Sequence, residues 1–157
     1  MMPAEIRIEL RDEAATAALA ARLAAVARPG DVIALRGPLG AGKTAFARAF
    51  IHASGGTGEV PSPTFTLVQI YELPGGPVWH IDCYRLRQAE EAWELGIEDA
   101  FRDAVTLIEW PERIAELLPA RRLDVTLAPG GTPGSRRAHL AGGEAWAARL
   151  AGVATNA

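Results

Sequence analysis

Val32-Ile33-Ala34-Leu35, then Gly37-Pro38-Leu39-Gly40-Ala41-Gly42-Lys43-Thr44, then Ala45-Phe46-Ala47-Arg48-Ala49-Phe50 is the stretch that decides the fold. An apolar run of strand length leads into G-x-x-x-x-G-K-T, which opens a helical pattern. This is a nucleotide phosphate loop in the context it requires. The glycines let the chain curl so that successive backbone N–H groups face phosphate oxygens, and the dipole of the following helix start favours negative charge. Lys43 is placed to reach the β- and γ-phosphates, and the Thr44 hydroxyl to ligate Mg²⁺. Gly37, Pro38, Leu39, Gly40, Ala41, Gly42, Lys43, Thr44 and Ala45 are therefore the candidate nucleotide-binding residues. The competing reading is a glycine-rich strand-to-helix turn with a surface lysine.

Outward from the loop, the chain alternates strands and helices. Ile6, Ile8 and Leu10 alternate with charged residues as a half-buried strand does, and Asp12 or Thr16 can start the helix carrying Ala15, Leu19, Leu23 and Val26. The loop helix runs to about His52. Val60-Pro61-Ser62-Pro63 is held extended by its prolines. Phe65, Leu67 and Ile70 mark a strand, Pro74-Gly75-Gly76-Pro77 a turn, and Val78-Trp79-His80-Ile81-Asp82 a second strand, which together read as a hairpin. Residues 88–101 read as helix broken at Gly96, and Val105-Thr106-Leu107-Ile108-Glu109-Trp110 as a strand buried in a central sheet. Pro111 then sits where a helix can start. The tail reads as strands at 122–127 and 137–140 around a loop, then a short helix from about Gly143. This predicts an α/β fold in one domain, residues 1–157: a mostly parallel central sheet with an antiparallel hairpin and helices on both faces. Its active site is expected at the carboxyl ends of the strands.

A chain of 157 residues, 49% of them hydrophobic, can bury one substantial core. The net charge of −3 provides no overall attraction to nucleic acid or membrane, so any dealing with RNA is local or through a partner. The single cysteine, Cys83, forms no internal disulfide, which fits a reducing cytoplasm. No apolar run reaches the ~18 residues of a membrane span. One cysteine and three dispersed histidines offer no zinc-ligand spacing.

A magnesium–nucleotide site needs a carboxylate at the end of a buried strand near the loop hydroxyl. Glu109 ends the most apolar strand, and Asp82 ends another. With two such carboxylates, one can hold the metal while the other positions or deprotonates the attacking water. Thr64, in Ser62-Pro63-Thr64, lies where nucleotide-switch segments commonly sit and is a candidate for a hydroxyl near the γ-phosphate, against the alternative of a rigid proline turn. His80 shares a strand face with Asp82 and by itself reads as a structural histidine.

The phosphate loop, Ser62-Pro63-Thr64-Phe65-Thr66-Leu67, His80-x-Asp82-x-Tyr84-Arg85-Leu86 and Ile108-Glu109-Trp110-Pro111 closely resemble, in order and spacing, the TsaE family of bacterial ATPases. The likeness runs from about Arg7 to Leu127 and includes Glu90-Glu91 and Leu95-Gly96-Ile97. It implies an accessory ATPase that uses ATP and Mg²⁺ and acts with a TsaD-type transfer subunit and its TsaB-type paralogue. Through that complex a threonylcarbamoyl group reaches the adenosine beside the anticodon of tRNA. In the family, residues matching Thr44 and Glu109 ligate Mg²⁺, the one matching Lys43 binds phosphates, and the one matching Asp82 is needed for hydrolysis. Trp110 and the 62–67 segment match positions linked to nucleotide response. Ala45 replaces a frequent second threonine and Pro38 a polar residue, and neither change removes a ligand. After Ala128 the likeness is loose, and Arg136 or Arg137 is the candidate there for an adenine or phosphate contact. The rival readings are a small-molecule P-loop kinase, which usually carries an arginine-rich lid, and a nucleotide-binding scaffold without significant hydrolysis. A GTPase would carry the guanine-reading Asn-Lys-x-Asp signature.

Overall fold

The computed structural model describes residues 4–58 and 67–155. In it, β1 (Ala4–Leu10) enters α1 (Glu13–Val26), whose first turn is capped by the Asp12 carboxylate accepting from the Ala15 N–H at 2.9 Å. Next come β2 (Val32–Arg36), the phosphate loop and α2 (Lys43–Ala53). β3 (Val68–Leu73) and β4 (Gly76–Asp82) form the hairpin, followed by α3 (Glu91–Glu94), α4 (Ile97–Asp103) and β5 (Val105–Glu109). Two 3₁₀ turns across Pro111–Leu117, kinked at Ile114, lead to β6 (Leu123–Pro129), β7 (Arg136–Gly142) and α5 (Glu144–Thr155).

Among the described residues all seven strands lie in one sheet, ordered β1-β7-β6-β2-β5-β4-β3. The middle four, β6, β2, β5 and β4, run parallel, and antiparallel pairs flank them: β3 on β4 at one edge, β7 on β6 and β1 on β7 at the other. Strand alternation sorts the core into two layers. Ile33, Leu35, Val78, Leu107, Val125 and Leu140 meet α1, α2 and α5 on one face. Val32, Ile81 and Ile108 meet α3, α4 and Ile114 on the other. Every residue of β5 is buried, as expected for a strand covered on both sides.

Three local expectations are corrected. The hairpin turn is shorter than Pro74-Gly75-Gly76-Pro77: Leu73 pairs with Gly76 and Glu72 with Pro77, so only Pro74 and Gly75 remain in the loop. Gly76 takes φ +120°, which gives the chain its reversal without a longer turn. The segment after Pro111 is 3₁₀ rather than α-helix, because Ile114 leaves helical geometry to enter the core. The last helix is a full twelve residues, anchored by Trp146, whose indole N–H donates to the Arg121 carbonyl at 3.1 Å.

Candidate functional site

β2 ends at Arg36, and the chain turns through three glycines with positive φ, Gly37, Gly40 and Gly42, before α2 begins at Lys43. At Gly37 a Cβ would lie 2.2 Å from the Leu127 carbonyl oxygen, so a side chain there would drive the loop off β6. Among the described residues no side chain caps the start of α2, which leaves its first N–H groups available to an anion. Leu39, at the loop tip, is 87% exposed.

Lys43 curls back over this loop. Its ammonium donates to the Gly37 carbonyl at 2.6 Å and lies 3.4 Å from the centre of the Trp110 ring. Burial pushes its pKa below the ordinary lysine value, against the opposing pull of Glu109, Glu112 and Asp82. A cation held this way is already stripped of water and surrounded by weak partners, which suits exchange for a phosphate. Trp110 is placed by a backbone turn into the left-handed region at φ +58°, directly after β5, and its ring also meets Tyr84 at 5.0 Å.

The Thr44 hydroxyl donates to Glu109 Oε1 at 2.9 Å. Asp82 and Glu109 are paired across β4 and β5, so both carboxylates leave the same sheet face at its carboxyl end. One Asp82 oxygen accepts from the Tyr84 N–H at 2.9 Å, a local turn that fixes the carboxylate and leaves its second oxygen for other work. Burial alone would raise the Glu109 pKa. The His80 hydrogen bond and charge, the Thr44 hydrogen bond and Lys43 outweigh it and hold the carboxyl below its usual range. Among the described residues no three His, Cys, Asp or Glu side chains gather to hold a metal by themselves. One hydroxyl and one carboxylate are the donor set expected for Mg²⁺ that takes its remaining ligands from phosphate and water.

Arg136 also reaches this corner. Its guanidinium lies against Gly42 and donates to the Gly40 carbonyl at 3.4 Å, and with Glu13, Thr16, Gly42, Ala45 and Gly134 it lines a small cavity beside the loop. Arg137 points to the other side of β7 and pairs with Glu9 at 3.4 Å, so of the two arginine candidates only Arg136 meets the loop. Thr64 lies outside the described residues. The reading from residues missed two contacts: the ring of Trp110 on Lys43, and His80 on Glu109. Only the alternation of His80 with Asp82 signalled the second.

Residues 10–138 match the family model described as threonylcarbamoyl adenosine biosynthesis protein TsaE. A protein of Rickettsia bellii named tRNA threonylcarbamoyladenosine biosynthesis protein TsaE is 42% identical over 119 residues, covering 75% of this chain and 83% of that one. A protein of the same name from Bacillus subtilis is 42% identical over 117 residues, covering 74% of this chain and 73% of its own. Among solved structures, Bacillus subtilis YdiB superimposes with a TM-score of 0.82 at 30% identity, over 99% of this chain and 98% of that one.

Proposed function

The chain belongs to the TsaE family of threonylcarbamoyl adenosine biosynthesis proteins, and from that premise we propose that it is the Mg²⁺-dependent ATPase of that process. The observation that carries the reading is the 2.9 Å hydrogen bond between Thr44 and Glu109. It joins the phosphate loop to a strand-end carboxylate 65 residues away, at the place where a nucleotide-bound cation needs both. Lys43, the open start of α2 and the loop amides are the phosphate partners. Ala45 and Arg136 line the adjoining cavity, where the rest of the nucleotide is received. Bound Mg²⁺ would supply charge neutralisation at the phosphates. The protein's own contribution is orientation: Thr44 and Glu109 on the metal side, Lys43 on the phosphates, and Asp82 holding the attacking water in line.

Within the family's process the chain acts as an accessory subunit to TsaD-type and TsaB-type partners and meets tRNA through them. The net charge of −3 supports indirect rather than direct tRNA contact. Among the described residues no helix is long and apolar enough to cross a membrane. A cytoplasmic setting is part of the same proposal.

The test is reconstitution with the two partner subunits, tRNA, ATP and the threonylcarbamoyl donor, scoring modified adenosine and released phosphate. Modification that depends on this chain and is lost in Lys43→Ala supports the reading. Full modification by chains that bind ATP without hydrolysing it would make the protein a nucleotide-dependent scaffold. Phosphate transferred to an added metabolite would make it a kinase.

A further inference from the structure

His80 has no role in the scheme above, yet its surroundings do not suit a histidine kept for packing. The imidazole is fully buried in β4. Nε2 lies 2.7 Å from Glu109 Oε2, while Nδ1 is buried with no hydrogen-bond partner among the described residues. An apolar side chain of similar size would fill the same space without stranding a polar atom, so the ring is costly to the fold except through its one bond. An ionised carboxylate can only accept, which puts the proton of that bond on Nε2. Glu109 is consequently tied at both oxygens, Oε2 by the imidazole and Oε1 by Thr44. The register explains the reach: His80 pairs with Leu107 and Asp82 with Glu109, so His80 and Glu109 are diagonal neighbours on one sheet face. The last torsion of a glutamate is broad and soft, and without an anchor on Oε2 the Thr44 hydroxyl alone would have to hold the direction of Oε1.

We propose that His80 is a positioning residue for the cation site: its Nε2–H locks the Glu109 carboxylate so that Oε1 faces the Thr44 hydroxyl before any cation arrives. The proposal rests on the reading of Glu109 as the metal-side carboxylate. Groups that orient metal ligands from behind typically matter by about 10- to 100-fold in metal affinity.

The experiment titrates Mg²⁺ into the full chain saturated with a non-hydrolysable ATP analogue, by calorimetry, for wild type, His80→Gln, His80→Leu and Glu109→Gln. Nucleotide affinity in EDTA and thermal melting are measured beside it. Glutamine places an N–H near the position of Nε2, and leucine does not. The expected result is that His80→Leu weakens Mg²⁺ at least about tenfold, that His80→Gln stays within about threefold, and that affinity in EDTA is unchanged in both. Should the leucine variant fail to fold, His80→Asn, whose amide is too short to reach Oε2, replaces it with the same expectation. Equal Mg²⁺ affinity in wild type and His80→Leu, with Glu109→Gln weakened, overturns the positioning role alone. Equal weakening by Gln and Leu also overturns it, since packing rather than the donor would then matter. Wild-type Mg²⁺ affinity in Glu109→Gln overturns the metal-side reading of Glu109 and the proposal with it.

Discussion

The parallel centre of the sheet and its antiparallel β1-β7-β6 flank use polar residues in opposite ways. At the centre, Lys43, His80, Asp82 and Glu109 are buried together at the carboxyl ends of the strands, four of the seven buried polar or charged residues among those described. On the flank, charges pair at the surface, as in Arg137 with Glu9 and Arg7 with Glu5. The inner side of the flank is apolar and carries Trp146 and Leu150 of α5. Desolvated charges cost stability unless they meet partners. The difference teaches that chemistry is concentrated where the fold is least comfortable, and that the flank and α5 supply mainly stability, with Arg136 at the start of β7 and the Leu127 carbonyl of β6 as the points where the flank meets the phosphate loop.

The largest effect should come from the centre. Lys43→Ala, and likewise Thr44→Ala, is expected to lower Mg²⁺-dependent ATP hydrolysis by about a thousandfold in a phosphate-release assay, because a phosphate partner or a metal ligand is gone. The melting temperature of Lys43→Ala should hold or rise, since a dehydrated ammonium has been removed. Wild-type turnover in either variant would break the comparison at its first term. The matching change on the flank, Trp146→Ala, should cost about 3–5 kcal/mol in denaturant unfolding while leaving nucleotide affinity of the folded protein intact. A parallel loss of affinity would show that the two regions are not independent.

Between the carboxylates, Asp82→Asn should lower kcat about a hundredfold with ATP still bound, whereas Glu109→Gln should weaken Mg²⁺ dependence and nucleotide retention together. The reverse pattern in the same two titrations would exchange their roles. A smaller effect belongs to Arg149, which binds Asp31 through both arms at 2.6 and 3.2 Å, donates to the Val26 carbonyl and stacks on Trp146. Arg149→Met should cost about 2 kcal/mol, seen in urea unfolding, with catalysis unchanged.

The smallest effect is in acid. Glu109 has a folded pKa below its ordinary value of 4.5, so its ionised form contributes stability at pH above 4.5 that disappears as the pH falls through the depressed folded value. Glu109→Gln lacks that contribution. Its unfolding free energy should therefore decline less steeply than that of wild type as the pH falls below 4.5.

How much of this was legible in the chain follows from distance along it. The phosphate loop is a local device: eight consecutive residues with their own backbone requirements, preceded by a strand and followed by a helix, and the structure places them as read. Glu109 and Asp82 were recognisable as strand ends, because apolar runs stop there. That they stand side by side depended on β4 and β5 being neighbours, which no local pattern states. The bond from His80 to Glu109 spans 29 residues, and alternation tells only that His80 and Asp82 share a face. Trp110 reaches Lys43 through a left-handed backbone that is rare for a non-glycine residue and has no residue signature. The tail was readable as strands but not as partners, since antiparallel pairing of β1 with β7 is decided by the whole sheet.

That last pairing also governs the order of events in time. β1 precedes the other described strands in the chain, yet among the described residues its one hydrogen-bonded neighbour in the sheet is β7, and Glu5 and His139, which meet across that seam, are 134 residues apart. During synthesis β1 can dock only once β7 has left the ribosome, whereas β2, α2 and β5 can assemble earlier around the phosphate loop. Closing so long a loop carries a large entropic barrier and slows folding. The seam between β1 and β7 is thus the expected late step of folding, with the sheet around the phosphate loop able to pair before it.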